Sequence, residues 1–484
     1  MMRLRNVMIG ALALGLLGGC SLVPHYQRPD APVADTWPEA APEDASDTVA
    51  TDIPWQEFVR DEDLRELIDL ALENNRDLRM AVQNIELARA QYRIRRADQV
   101  PSLGLSAGGE RGTATIGPGV AETWTVGLGM AAWELDFFGR VAALKDAALA
   151  QFMATEEARK ATQISLIANV ASTWLQLKTD TELLALAERT LATREQSLEL
   201  MQLRFDNGAS SALDLHQAES LAAVARATQA QQQRLRAQDV NLLTLLVGQT
   251  LPSRLLPEAS EAVAEVAQDS TEQVVALVPP AADLPTFGEV PAGLSSDLLL
   301  RRPDIRAAEQ QLRAANAQIG AARANFFPRI SLTGNLGRIS TEFDDLFSSD
   351  SQRIWSAGVG LNLPIFDMGR NRANLDAAKA SYEIAVAQYE KAIQTGFREV
   401  ADALIARTTY ADQLAAQLAQ AEAERERFRL AELRYRNGVA SFLDLLDAQR
   451  SLFAIEQALA QTRLAQRASE VQLYKALGGG WDNP

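Results

Sequence analysis

The chain of 484 residues contains one cysteine, Cys20, and two histidines, His25 and His216. A single thiol excludes an internal disulfide and any metal site built on cysteine. Two imidazoles leave little for zinc ligation or for histidine acid–base chemistry. Positive charge is also short: 47 Lys and Arg stand against 63 Asp and Glu, a net charge of -16. Nucleic-acid binding needs a basic face, so no nucleic-acid partner is expected. No nucleophile–base pair, phosphate loop or metal motif stands out, so neither an enzyme nor a cofactor is expected. Long disorder is excluded by 47% hydrophobic and 23% charged residues.

What is present begins at the N-terminus. Arg3 and Arg5 precede an apolar run, Val7–Leu17, too short for the about 20 residues that span a bilayer. It fits the core of a secretory signal peptide over 1–19. The run ends Leu17-Gly18-Gly19-Cys20, which resembles a bacterial lipobox. The expectation is cleavage before Cys20 and a covalent lipid on its thiol; the alternative is an ordinary signal peptide with a chance cysteine. Ser21 in place of Asp is compatible with sorting to the outer membrane. Residues 20–56 then read as a lipidated, extended tether. They carry Pro24, Pro29, Pro32, Pro38, Pro42 and Pro54, which remove donors and disfavour helix.

The remainder is written twice. Leu203-Arg204-Phe205-Asp206-Asn207-Gly208 returns as Leu433-Arg434-Tyr435-Arg436-Asn437-Gly438, an offset of 230. Ser211, Leu213, Asp214 and Leu215 meet Ser441, Leu443, Asp444 and Leu445 in the same register. Upstream, Pro101 meets Pro328 at an offset of 227. The expected organisation is repeat one over 57–250, an acidic Pro-rich linker over 251–292 with one short helix at 258–277, repeat two over 293–478, and a tail over 479–484.

Each repeat has the same internal order: helix, two strands, very long helix, turn, long helix. A helix from about Ser296 to Phe327 is expected to end at Pro328. After Pro101 and after Pro328 the hydrophobic period changes to two. Leu103, Leu105 and Ala107, then Trp124, Val126, Leu128 and Met130, alternate with small and polar residues. Ile330, Leu332 and Leu336, then Trp355, Val359 and Leu361, do the same. These are four strands of about ten residues, the length of a tilted membrane-crossing β-strand. The competing reading is a soluble antiparallel sheet with one buried face. If the strands cross a bilayer, four cannot close, and other chains must complete the barrel.

Between Val141 and Asn207 there is neither Pro nor Gly, and between Asn371 and Asn437 only Gly396. A helix of that length spans on the order of 100 Å. Asn207-Gly208 and Asn437-Gly438 supply turns, with Ser211 and Ser441 as caps of the returning helices. Leu445, Ala448, Leu452, Ile455 and Leu459 form a coiled-coil seam.

Several segments resemble the TolC-like outer-membrane factor family, in its lipoprotein branch serving multidrug efflux. They are Leu294-Ser295-Ser296-Asp297-Leu298-Leu299-Leu300-Arg301-Arg302-Pro303-Asp304-Ile305-Arg306, Ala321-Ala322-Arg323-Ala324-Asn325-Phe326-Phe327-Pro328, Trp133-Glu134-Leu135-Asp136-Phe137-Phe138-Gly139-Arg140, Leu363-Pro364-Ile365-Phe366-Asp367 and Tyr474-Lys475-Ala476-Leu477-Gly478-Gly479-Gly480-Trp481. The resemblance runs from Cys20 to Trp481. It implies a mainly α fold with a membrane β-barrel: a homotrimer with a twelve-stranded outer-membrane barrel and a long periplasmic α-helical barrel. It implies a passive exit duct, lipid-anchored in the outer membrane. An inner-membrane pump of RND type and a periplasmic adaptor would be its partners.

Asp444 and Asp447 sit three residues apart on one helical face and match the constriction aspartates of the family. In a trimer they would form stacked carboxylate rings that raise one another's pKa and attract cations. Asp444 alone reads equally as a first-turn residue favoured by the helix dipole. The family's tip latch implies a pair between Tyr435 and Asp214. An arginine of some members falls here on Ala440, leaving Arg450 or Arg434 to substitute. Asn207, Gly208, Asn437, Gly438, Val439 and Ser441 would be adaptor-facing turns, or turn chemistry alone. Trp124 and Trp355 are candidates for an interfacial belt or for packing. The other readings are a duct for type I protein secretion or metal efflux, and a structural coiled-coil envelope lipoprotein. The last leaves the paired strands without a role.

Overall fold

The computed structural model describes residues 21–34, 37, 53–113, 120–257, 284–290 and 296–480. Cys20, the signal peptide, most of the tether and the expected helix at 258–277 lie outside the described residues. The first repeat holds α1 (Glu62–Asn74), α2 (Arg76–Ala97), β1 (Leu103–Thr113), β2 (Val120–Leu135), α3 (Arg140–Asp206) and α4 (Ala212–Val247). The second holds α5 (Pro303–Ala324), β3 (Arg329–Ser340), β4 (Gln352–Asn362), α6 (Arg370–Arg436) and α7 (Phe442–Ala476). No described helix is long and apolar enough to cross a membrane. The expected helix from Ser296 is corrected: Ser296–Arg301 is a 3-10 segment, and the α-helix starts at Pro303. Proline fixes φ for a first helical turn but disfavours helix at the residue before it.

The chain divides into two compact units. The first comprises Met1–Pro32, Val82–Ala158 and Asp304–Ala392. Its four strands form one antiparallel sheet in the order β1-β2-β3-β4. Leu105 faces Leu128, Leu128 faces Leu336, and Leu336 faces Trp355, so one row is apolar across all four strands. The neighbouring row reads Gly104, Gly129, Asn335 and Ser356. Period two thus sorts apolar side chains to one face and small polar ones to the other. The apolar face is uncovered: Leu105 is 75% and Trp355 77% exposed. A soluble sheet would bury that face, so the reading of these strands as membrane-crossing stands. Trp124 packs edge-on against Phe343, whereas Trp355 stays on the open face. The register slips once, between Met130 and Trp133.

In the same unit the extended segment 21–32 lies on α5. Arg28 grips Glu309 with two nitrogens, the closer at 2.8 Å, and the Tyr26 hydroxyl donates to Glu309 at 3.2 Å. Arg313 closes the group from one turn along α5 at 2.9 Å. Burial raises the Glu309 pKa, but hydrogen bonds from Arg313 and Arg28 outweigh it and hold the carboxyl below its ordinary range. Asn316 donates to the Pro24 carbonyl at 2.9 Å. A Cβ on Gly320 would stand 2.8 Å from the Val23 Cα, closer than packed carbons approach. Gly320→Val should therefore lift the segment from α5 and expose 21–32 to limited proteolysis. Unchanged protection would contradict this packing.

The second unit comprises Val33–Ala81, Arg159–Pro303 and Ile393–Pro484. Trp55, Phe58, Leu64, Leu67, Trp174, Leu175 and Leu243 are its fully buried anchors. Phe58 stacks on Tyr474 at 4.0 Å and on Phe287 at 5.0 Å. The Tyr474 hydroxyl donates to the Ile53 carbonyl at 2.6 Å. Arg302, from the conspicuous Arg-Arg-Pro-Asp sequence, donates to the Ala476 carbonyl and pairs with Glu399 at 2.8 Å. It ties the end of α7 to α6. Gly396 is where a Cβ would meet Leu299 and Arg302 at 3.1 and 3.3 Å, which accounts for the one glycine in α6.

Buried Asp180 on α3 and half-buried Asp239 on α4 form an acid pair in this unit. Asp180 is 3% exposed, and one Asp239 carboxylate oxygen is buried without a donor. Burial, then the neighbouring Asp180 carboxyl, raise Asp239 to about 7. The folded state holds a proton that the unfolded chain releases. The contribution of Asp239 to stability is therefore greatest at acid pH and falls as pH rises toward about 7, then levels off. Asp239→Asn should remove this fall and raise the melting temperature above neutral pH. A variant with the same pH profile as wild type would contradict the shared proton.

Candidate functional site

Two helical turns carry the residues singled out from sequence. Both are built alike. Gly208 and Gly438 adopt φ of 70° and 71°, the left-handed region that glycine enters without strain. Asn207 and Asn437 donate their side-chain amides to the Leu203 and Leu433 carbonyls at 2.7 Å. Val439 closes the second turn through its N–H to the Arg434 carbonyl at 2.9 Å. The returning helices open on full capping boxes, Ser211 with Asp214 and Ser441 with Asp444. The Ser211 hydroxyl donates to Asp214 at 2.7 Å, and the Ser441 hydroxyl to Asp444 at 2.9 Å.

That arrangement separates the two aspartates. Asp444 is committed to its cap, as Asp214 is in the first repeat. Asp447 has no acidic counterpart in the first repeat, where Gln217 occupies the matching position. Its carboxylate is held by Arg427 of α6 and by Arg450, the latter at 2.6 Å. Hydrogen bonds from Arg427, then Arg450, bring its pKa below the ordinary range. Within the single chain the two guanidinium groups favour its ionised form; the expected mutual raising of carboxyls belongs to a trimer.

Within the single chain Tyr435 and Asp214 each have another partner. The Asp214 carboxylate is occupied by Ser211, and the Tyr435 hydroxyl accepts instead from Arg204 at 2.8 Å. Arg204 also lies 5.7 Å from the Tyr435 ring centre, within cation–π range. Arg450 is engaged by Asp447 and does not join Tyr435. Tyr435 and Phe442, 5.6 Å apart, pack on two clusters at once. One is Met201, Leu215 and Ala218 of the first hairpin; the other is Phe428, Leu445 and Ala448 of the second. The two hairpins are thus joined by an aromatic pair and one Arg–Tyr bond. Sequence reasoning missed Arg204 and Arg427. Their signal lay in the departures from the repeat: Tyr435 stands where the first copy has Phe205, and Arg427 where it has Ser197.

Among the described residues no group of His, Cys, Asp or Glu could hold a metal ion. A four-stranded sheet with an exposed apolar face and two helices of 67 residues are the elements of an outer-membrane channel protomer. The chain belongs to the outer membrane efflux protein family, whose sequence profile matches residues 67–249 and again 294–479. It is 45% identical over 480 residues, 97% of this chain and 95% of the relative, to the antibiotic efflux pump outer membrane protein ArpC of Pseudomonas putida. It is 46% identical over 479 residues, 97% of each, to the solvent efflux pump outer membrane protein SrpC of Pseudomonas putida. Among solved structures it is similar to the open state of the MtrE outer membrane channel of Neisseria gonorrhoeae. There the identity is 38% and the TM-score 0.81, covering 96% of this chain and 99% of that one.

Proposed function

We propose that the chain is a lipid-anchored protomer of a homotrimeric duct. The duct passively releases antibiotics and solvent-like apolar compounds across the outer membrane. Cys20 carries the lipid and residues 1–19 are removed. An inner-membrane pump of RND type supplies the energy, and a periplasmic adaptor docks at the turns Asn207-Gly208 and Asn437-Gly438 with Val439 and Ser441. No covalent chemistry and no cofactor are involved. The two repeats, 57–250 and 293–478, act as equivalent building units around the tube. Asp447 with its two arginines guards the tip, and Arg204–Tyr435 latches it shut. The efflux class is supported by the named roles of the relatives, ArpC for antibiotics and SrpC for solvents.

The observation that carries closure by other copies is the pair of free edges, β1 and β4. Unpaired strand edges are not tolerated in hydrocarbon. Three copies give twelve strands, enough for an aqueous lumen, whereas two would give a barrel filled by side chains. The internal repeat supplies the register. Met130 of β2 faces Gly334 of β3; aligning Trp124 with Trp355, an offset of 231, and Pro101 with Pro328, an offset of 227, makes their repeat equivalents Leu361 and Ala107. β4 of one copy therefore meets β1 of the next with Leu361 opposite Ala107. Cysteines at Leu361 and Ala107 should cross-link into a closed trimer on non-reducing gels. Cross-links confined to single chains would exclude this pairing, and ladders beyond three would exclude the closure.

A further inference from the structure

A cavity of about 60 Å³ lies between α3, α6 and α7, lined by Arg189, Arg194, Phe428, Gln449, Leu452 and Glu456 among others. Its electrostatics do not balance. Arg194 is only 6% exposed, yet its partner is a neutral amide, Gln449, at 2.6 Å. A buried charge is normally paired with an opposite one. Burial, then the like charge of Arg450, lower its pKa, and no carboxylate offsets them. Arg189 lines the same cavity, and its Nε and Nη2 are buried with no hydrogen-bond partner. The threonines beside them are spent on the helix itself: Thr190 donates to the Leu186 carbonyl and Thr193 to the Arg189 carbonyl.

Glu456 is the one carboxylate in the lining, and it does not answer both arginines. It lies 3.7 Å from a third guanidinium, Arg425, and its Oε1 accepts no hydrogen bond. The nearby Glu182 faces Arg463 of α7 at 3.7 Å. Arg189 feels Glu456, Glu182 and Glu188 from a distance but no acceptor meets its buried N–H groups, and Arg194 has no carboxylate beside it.

We propose that this cavity binds a small monovalent anion of chloride size, held by the guanidinium groups of Arg189 and Arg194. The volume of about 60 Å³ accepts a small ion with a few waters, since one water needs roughly 10–15 Å³ of such space. The anion supplies the charge that Glu456 cannot and accepts the idle Arg189 N–H groups. It rivets α3 to α6 and α7 beside the tip network of Arg427, Asp447 and Arg450. This ties the stability of the wall to the halide concentration.

The test uses the full-length protein crystallised from bromide in place of chloride. The expected result is one anomalous peak per chain between Arg189 and Arg194, lost in Arg194→Met and retained with greater height in Glu456→Gln. In solution, replacing chloride by gluconate at equal ionic strength should lower the melting temperature of wild type and of Glu456→Gln. Glu456→Gln keeps the test open should Arg194→Met fail to fold. A cavity holding water alone, an Arg189 turned onto Glu456, or bromide confined to surface arginines would each overturn the site. So would a melting temperature indifferent to the anion.

Discussion

Replacing Leu128 by Arg is expected to abolish assembly into the outer membrane. Leu128 sits mid-strand in the apolar row with Leu105, Leu336 and Trp355. An arginine at the bilayer midplane of a barrel costs about 2–4 kcal/mol, and a trimer would carry that cost three times over. The control is Ser356→Arg on the opposite face, in the row of Gly104, Gly129 and Asn335. A lumen-facing charge remains hydrated and should be tolerated. Fractionation of the envelope and heat-modifiable gel migration distinguish the two. Equal assembly of both variants would mean that the exposed apolar face is not a lipid-facing surface.

Asp447→Ala is expected to open the tip, with conductance rising several-fold and any cation preference lost. The substitution leaves Arg427 and Arg450 without their shared carboxylate. In a trimer that leaves three Arg450 guanidinium groups uncompensated, Arg427 keeping Glu424 at 3.1 Å, and like charges in a narrow pore repel one another and exclude cations. Asp444→Ala should behave differently. It removes a capping box, a loss on the order of 1 kcal/mol of helix stability, with little change in selectivity. Single-channel recording on both variants makes the comparison. Equal effects would return Asp444 to the gate; no effect from either would remove the aspartates from it.

Much of this fold was legible in the sequence for physical reasons. The duplicated Asn-Gly turns, the shift from helical to period-two spacing at Pro101 and Pro328, and the Pro-free stretches each force a local conformation. The coiled-coil seam of Leu445, Ala448, Ile455 and Leu459 is buried as its spacing required. The start of α5 was misjudged because Pro303 lies inside a continuous hydrophobic pattern, and the local restriction by proline prevailed. The tip chemistry was less legible. Arg204 and Tyr435 are 231 residues apart, and Arg427 reaches Asp447 across two helices. No local spacing encodes such pairs. Asp214 and Asp444 read both as caps and as functional acids, because an aspartate at a cap and an aspartate in a pore are the same letter; the structure shows the cap.

The most direct measurement is single-channel current from the purified, detergent-extracted wild-type oligomer in a planar bilayer, with neither pump nor adaptor added. A passive duct restrained at its tip predicts small, discrete, energy-independent currents. A confirmed, folded oligomer that inserts and carries no current at any voltage would contradict the account.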